Sequence, residues 1–359
     1  MKHSPLDAKH KALGAKMADF GGWLMPIEYP GGGVLAEHDA VRNRVGIFDV
    51  SHLGKISIKG PGAKDYINSI LTNDLDKITD GQAQYNLLCN EEGGVIDDII
   101  AYRNGVDDIF LVPNAANCSK VFDVLTKNAP SDLKIVNQHE EYAVIAVQGP
   151  RSKELLQSLG LNLDIEYMSF THGVVDGCEV IVCRTGYSGE HGYELLPKWS
   201  DAAKVWDALY SNLGDGLACG LGSRDTLRTE MGYPLHGQEL SEKISASISG
   251  ASWAIAFDKA KFNGEAKLRA EKAAGAPRRL RGMKLLDRGI PRGHMSIMVD
   301  GAVVGETTSG TFSPTLKVGI ALGLIDTKYK VGDKVNIDVR GRSLAAEIVK
   351  LPMVEPHVK

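Results

Sequence analysis

Two adjacent carboxylates, Asp97 and Asp98, interrupt a run that otherwise reads as a strand: Val95, Ile96, Ile99, Ile100 and Tyr102 are β-branched or aromatic. Neighbours on an extended chain point to opposite faces, so both acids cannot face water if one face is core. A buried, unpaired carboxylate is costly, so one of the two should have a partner or a task. The plain alternative is an edge strand with water on both sides. Four more polar groups stand in apolar or glycine-rich surroundings: Asn114, Tyr187, Glu194 and Arg224. Each has an ordinary explanation as well. Asn114 could cap a helix, Tyr187 could be a core aromatic, Glu194 a solvated strand residue, and Arg224 with Asp225 an internal pair. Together they would suit a neutral heteroaromatic ligand with amide-like edges. A carboxylate would accept two N–H groups, an aromatic would stack, and an arginine would meet a ligand carboxylate.

Other chemistries find little support. The 10 histidines are scattered, with no H-E-x-x-H, so no metal site is expected. There is no G-x-S-x-G elbow for acyl transfer. Gly220-Leu221-Gly222 lacks the third glycine of a dinucleotide fingerprint, and Pro30-Gly31-Gly32-Gly33 lacks the Lys-Ser/Thr of a phosphate loop. Five cysteines without a C-x-x-C indicate neither a disulfide framework nor a zinc knuckle, as expected of a reducing cytoplasm. A net charge of −4 gives no footprint for nucleic acid, and the one dense basic run, Arg278-Arg279-Leu280-Arg281, reads as a solvated linker. No apolar h-region follows Met1, and no apolar stretch approaches the ~20 residues of a membrane span.

The elements that must position these groups follow from periodicity. With 359 residues, two or three domains are expected. Residues 6–18 read as a helix, broken by Phe20-Gly21-Gly22-Trp23, and residues 34–44 as a second helix. Residues 55–59 alternate as a strand, and Gly60-Pro61 opens a helix. The same strand, Gly-Pro, helix design returns at Val144 to Leu159. Aligning Pro61 with Pro150 sets Ile67 on Leu156, which suggests two related α+β units. Residues 178–196 read as strand, loop, strand, and residues 264–280 as an exposed helix running into a linker. From Arg281 onward, short alternating strands predict a small antiparallel β domain.

Six stretches then carry a family resemblance: Gly14 to Trp23, Phe48-Asp49-Val50-Ser51-His52-Leu53, Gly93-Gly94-Val95-Ile96-Asp97-Asp98, Arg184-Thr185-Gly186-Tyr187-Ser188-Gly189-Glu190, Gly220 to Asp225, and Thr308-Ser309-Gly310-Thr311-Phe312-Ser313-Pro314-Thr315-Leu316. They closely resemble the glycine cleavage system T-protein, a tetrahydrofolate-dependent aminomethyltransferase, in register from about residue 4 to about residue 353. Departures are small. Many relatives have Met at Leu53, Ala at Ser223 and Phe at Met353. The resemblance implies an α+β fold, a three-domain cloverleaf around a folate funnel. Two related α/β (ferredoxin-like) subdomains would be formed by residues 1–50 with 140–275, and by 51–139, and a barrel or jelly-roll-like domain by 276–359. It implies lipoylated H-protein as partner, tetrahydrofolate as co-substrate and a cytoplasmic enzyme.

Residue by residue, Asp98 matches the family's catalytic carboxylate, and Glu194 the group that holds the pterin edge. Tyr187 matches a pocket aromatic, Arg224 a basic residue of the folate site, Asn114 and Tyr85 pocket-lining positions, and Leu53 would line the pterin cavity. Strand alternation would send Asp97 into a structural hydrogen-bond network. The implied reaction moves an aminomethyl group from a dihydrolipoyl sulfur to tetrahydrofolate, releasing ammonia. A carboxylate there could stabilise developing positive charge, orient the amine or take its proton. Two other readings share the scaffold: a folate-dependent demethylase of a small methylated amine or sulfonium compound, and a non-catalytic folate-binding module.

Overall fold

A six-residue helix, Asp7–Ala12, and a hairpin open the chain in place of the single helix expected over 6–18. Gly14 takes a φ of 72°, which ends the helix, and Lys16–Phe20 continues as a strand. Gly21 and Gly22, at φ 60° and 87°, then turn that strand onto Trp23–Glu28. Two successive positive φ values suit the tight hairpin turn that only such residues make cheaply. The structure, a computed structural model, describes residues 1–359.

Two larger sheets follow one plan. The five-stranded sheet runs Gln82–Cys89, Val95–Gly105, Asp108–Val112, Ile56–Lys59, Lys134–Asn137, with every neighbouring pair antiparallel. The six-stranded sheet runs Phe170–Val175, Cys178–Cys183, Gly192–Pro197, Ile145–Gln148, Gly46–Asp49, Leu217–Cys219, antiparallel up to the last, parallel pair. Ile56–Lys59 and Ile145–Gln148 hold equivalent places, each followed by Gly-Pro and a short helix. Gly60 and Gly149 share an unusual φ, 128° and 125°, and a Cβ on either would lie 2.3 or 2.6 Å from a carbonyl oxygen. Only glycine fits there. The position filled by Lys134–Asn137 in one sheet is filled in the other by Gly46–Asp49, far upstream in the chain.

Alternation sorts the two faces of each sheet. Ile145 and Val147 pack with Leu156, Trp206 and Leu209 of covering helices. Ile58 and Ala101 pack likewise with Ile67, Val121 and Leu125. The opposite faces meet each other, with Phe48, Ala146 and Leu196 from one sheet against Ala83, Tyr102 and Phe110 from the other. These covering helices therefore lie outside, while the helix Leu221–Met231 packs with the inner faces through Leu221 and Leu227, and a space is left there.

The C-terminal part is a closed six-stranded barrel from Arg278–Leu285 to Arg342–Val349. The helix before it stops at Ala274, where Gly275 has φ 81°. The basic run read as a linker is thus the first half of a barrel strand. Its pairing shows this: Arg278 to Arg281 lie antiparallel to Asp326 to Gly323, with Leu280 buried and Arg278 and Arg279 exposed.

Candidate functional site

The space between the sheets is a cavity of about 690 Å³, and Leu53, Tyr85, Asp98, Asn114, Tyr187, Glu194 and Arg224 all line it. These residues come from two sheets, three loops and one helix, which no sequence spacing could have joined. Val95–Gly105 brings Asp98, and its partner Gln82–Cys89 brings Tyr85, which pairs with Ile100 and so stands diagonal to Asp98 on the same face. Glu194 comes from Gly192–Pro197, Arg224 from the helix Leu221–Met231, and Tyr187 from the loop between Cys183 and Gly192.

The two acids part at the strand. Asp97 is fully buried behind the cavity. It accepts from the Asn114 backbone N–H at 2.9 Å, from Asn114 Nδ2 at 2.9 Å and from Asn117 Nδ2 at 2.6 Å. Asp98 lies on the cavity wall, where Tyr85 Oη donates to Oδ2 at 3.0 Å and Asn114 Nδ2 to Oδ1 at 2.7 Å. Burial pushes the Asp98 carboxyl above the usual carboxylate range, and the Tyr85 hydroxyl, His236 and Asn114 pull the other way. Burial also raises Asp97, with the neighbouring Asp98 charge adding to it. Asn114 bridges both acids, so their orientations are set together.

Across the cavity, burial raises Glu194, opposed by the Thr185 hydroxyl that donates to Oε2 and by the charge of Arg224. The Arg224 guanidinium lies over the Tyr187 ring, 4.3 Å from its centroid, and makes no side-chain hydrogen bond or ion pair within the protein. A desolvated cation without an anionic partner is unusual in a core, and here it faces open space. The Tyr187 hydroxyl is tied to the Pro234 carbonyl, which fixes the ring.

Sequence reasoning passed over several wall residues. Thr185 lay inside a stretch already singled out, and its hydroxyl next to a strand glutamate was the available signal. Trp253 stands alone in a Ser- and Gly-rich segment without periodicity, and His236 follows Tyr233-Pro234-Leu235 with no motif around it. Leu280 from the barrel and Leu351 and Pro352 after its last strand close one side. Only the folded arrangement brings that domain to the cavity. No group of three or more His, Cys, Asp or Glu side chains is placed to hold a metal ion. No helix is long and apolar enough to cross a membrane.

The sequence matches the family models of the GCVT N-terminal domain over residues 6–259 and the glycine cleavage T-protein C-terminal barrel domain over residues 278–355. It is 56% identical over 358 residues to an aminomethyltransferase of Parafrankia sp. (strain EAN1pec), covering 99% of this chain and 98% of that one. It is 54% identical over 356 residues to an aminomethyltransferase of Mycobacterium avium, covering 98% and 96%. The crystal structure of glycine cleavage system aminomethyltransferase T from Bartonella henselae superimposes with a TM-score of 0.93 at 30% identity, over 99% of both chains. A likeness that runs the full length, through both domain types and in the same order, makes this chain a member of the glycine cleavage T-protein family.

Proposed function

We propose that the chain is an aminomethyltransferase of the glycine cleavage system, acting in the cavity around Asp98. The donor is the aminomethyl-dihydrolipoyl arm of the H-protein, and the acceptor is tetrahydrofolate. The observation that carries this reading is the cavity's charge pattern: a half-buried glutamate and an unpaired guanidinium on one side, a hydrogen-bonded aspartate on the other. That pattern fits a ligand with N–H edges at one end and a carboxylate at the other. The folate supplies the nucleophilic nitrogen that captures the carbon. Glu194 would accept from the N–H edge of its ring, Arg224 would pair with its carboxylate, and Tyr187 and Leu53 would present apolar faces that exclude water. Asp98 would stabilise positive charge on the aminomethyl group as the C–S bond breaks, and manage the proton of the departing amine. A second folate nitrogen closes on the same carbon as ammonia leaves, giving 5,10-methylene-tetrahydrofolate, and the sulfur stays on the lipoyl arm as a thiol. The matched strand orders of the two sheets support reading them as related ferredoxin-like subdomains of a cloverleaf. The borders would be 1–50 with 140–275, 51–139, and 276–359.

The test is a turnover assay with lipoylated H-protein, tetrahydrofolate and purified enzyme. Asp98→Asn is expected to cut transfer by roughly 10²-fold or more with the fold retained by circular dichroism. Undiminished turnover by Asp98→Asn removes the role of Asp98. Turnover of a free methylated amine or sulfonium compound, with none from H-protein, replaces the reading with a demethylase.

A further inference from the structure

Trp253 is 69% exposed, whereas Trp23 and Trp206 are buried. It stands on the rim of the cavity, on the turn Ser252–Ala254, with its indole stacked on the Tyr85 ring at 5.3 Å and 26°. An indole left this open gains little from its outer face, so its inner face is where it acts. The turn beneath it is anchored. Thr72 Oγ1 donates to the Ala254 carbonyl at 2.8 Å, and the Ala256 N–H donates to the Thr72 carbonyl at 2.9 Å. The same Thr72 hydroxyl accepts from the Leu87 N–H at 3.1 Å, two residues along the strand from Tyr85. Turn, strand and stacked rings are thus referenced to one buried threonine. The far end of the Tyr85 ring carries the hydroxyl that donates to Asp98 Oδ2.

We propose that Trp253 is a positioning residue: stacked on Tyr85 at the cavity rim, it holds the Tyr85 hydroxyl on the Asp98 carboxylate. The inference rests on the reading that Asp98 carries the transfer. Asp98 is faced by Asp97 on its own strand, Tyr85 on the next, His236 and Tyr187 from two loops, and Arg224 from a helix. Asp98 accepts side-chain hydrogen bonds from Asn114 and Tyr85, Tyr85 being the titratable group that donates to it, and both bonds favour the ionised form. When the ring is free to swing away, the carboxyl holds its proton to higher pH.

The experiment compares pH profiles of kcat at saturating H-protein for wild type, Tyr85→Phe, Trp253→Ala, Trp253→Phe and the double variant Tyr85→Phe/Trp253→Ala. Tyr85→Phe and Trp253→Ala are expected to move the acidic limb to higher pH in the same way, each losing roughly threefold or more of its activity there relative to its own alkaline plateau. Trp253→Phe keeps a stacking ring and the wild-type profile. The double variant matches Tyr85→Phe alone, since the tryptophan acts through the tyrosine. A wild-type profile for Trp253→Ala, a change confined to KM, or additive losses in the double variant overturns the proposal. Asp98→Asn separates the two failures. If it is active, the reading of Asp98 falls; if it is inactive while Trp253→Ala titrates as wild type, only the positioning role falls.

Discussion

Glu194 and Arg224 carry opposite charges on one side of the cavity without forming an ion pair. Glu194 spends one oxygen on the Thr185 hydroxyl, and Arg224 rests on the Tyr187 ring, so both keep unused hydrogen-bonding capacity toward the cavity. Groups held this way bind a ligand at little cost of rearrangement, since their own packing fixes them first. Glu194→Ala is therefore expected to weaken folate binding by about tenfold or more while slowing bound turnover less, the order of a lost charge-assisted hydrogen bond. Calorimetry giving an unchanged Kd would count against it. At this scale the sequence was informative for a physical reason. A polar residue inside an apolar strand must be explained, so Asp97, Asp98 and Glu194 announce themselves; alternation sends the first two to opposite faces, and the family resemblance points to Asp98 as the one that faces the site. Trp253 and Thr185 break no local rule, and nothing distinguishes them until their neighbours are known.

Lys55 stands at the head of Ile56–Lys59 and is fully buried, without an ion pair of its own, although the charges of Asp49 and Glu140 oppose part of the cost of its burial. Its ammonium donates to the Ser51 carbonyl at 2.7 Å and the His139 carbonyl at 3.1 Å, tying the chain that enters this strand to the one that leaves the sheet. Burial pushes its pKa down to about 7 from an ordinary 10.5. The unfolded chain then binds more protons than the folded one between those values, so this lysine's contribution to stability grows as pH rises through that window and is lost as pH falls through about 7. Comparing Lys55→Met with wild type in urea titrations from pH 7 to 9 checks this. The wild type should gain stability relative to the variant across that range, and parallel curves would refute it. The misread opening helix belongs to this scale too. Leu6, Ala12, Leu13 and Met17 keep a helical spacing, but Gly14 and the Gly21-Gly22 pair weigh more, because a positive φ ends a helix whatever the side-chain pattern. The basic run at Arg278 misled for the converse reason. Charge suggested a linker, while a strand of a closed barrel readily carries charge on its solvent face.

The whole molecule is held around the cavity by two buried glutamates that receive the barrel. The stretch Thr308 to Thr315, a hallmark of the family resemblance with no chemistry of its own, docks onto them. Thr308 donates to Glu239, and Ser313 and Thr315 donate to Glu230. Arg42 completes Glu230 with bonds of 3.2 and 2.7 Å, and Arg228 joins Glu239 at 2.9 Å to Ser309 at 2.8 Å. Since Leu280, Leu351 and Pro352 close one side of the cavity, this joint also shapes the ligand site. Burial raises the Glu230 carboxyl, but His38, Arg42 and Ser313 outweigh it and hold it down at about 2, against an ordinary 4.5. Its stabilising contribution is present above 4.5 and is lost as pH falls toward about 2. Glu230→Ala leaves Arg42 with Glu190 as its one carboxylate partner and removes the acceptor of the Ser313 and Thr315 hydroxyls, so a loss of about 3 kcal/mol or more is expected in urea unfolding at neutral pH. Because the damage lies at the joint and not in either core, protease should then cut first between residues 260 and 277, where the chain crosses to the barrel. Folate affinity should fall together with the joint, although Glu230 does not line the cavity. A variant that stays as stable and as protease-resistant as wild type would mean that the barrel is held by other contacts, with the two glutamates satisfied but not needed.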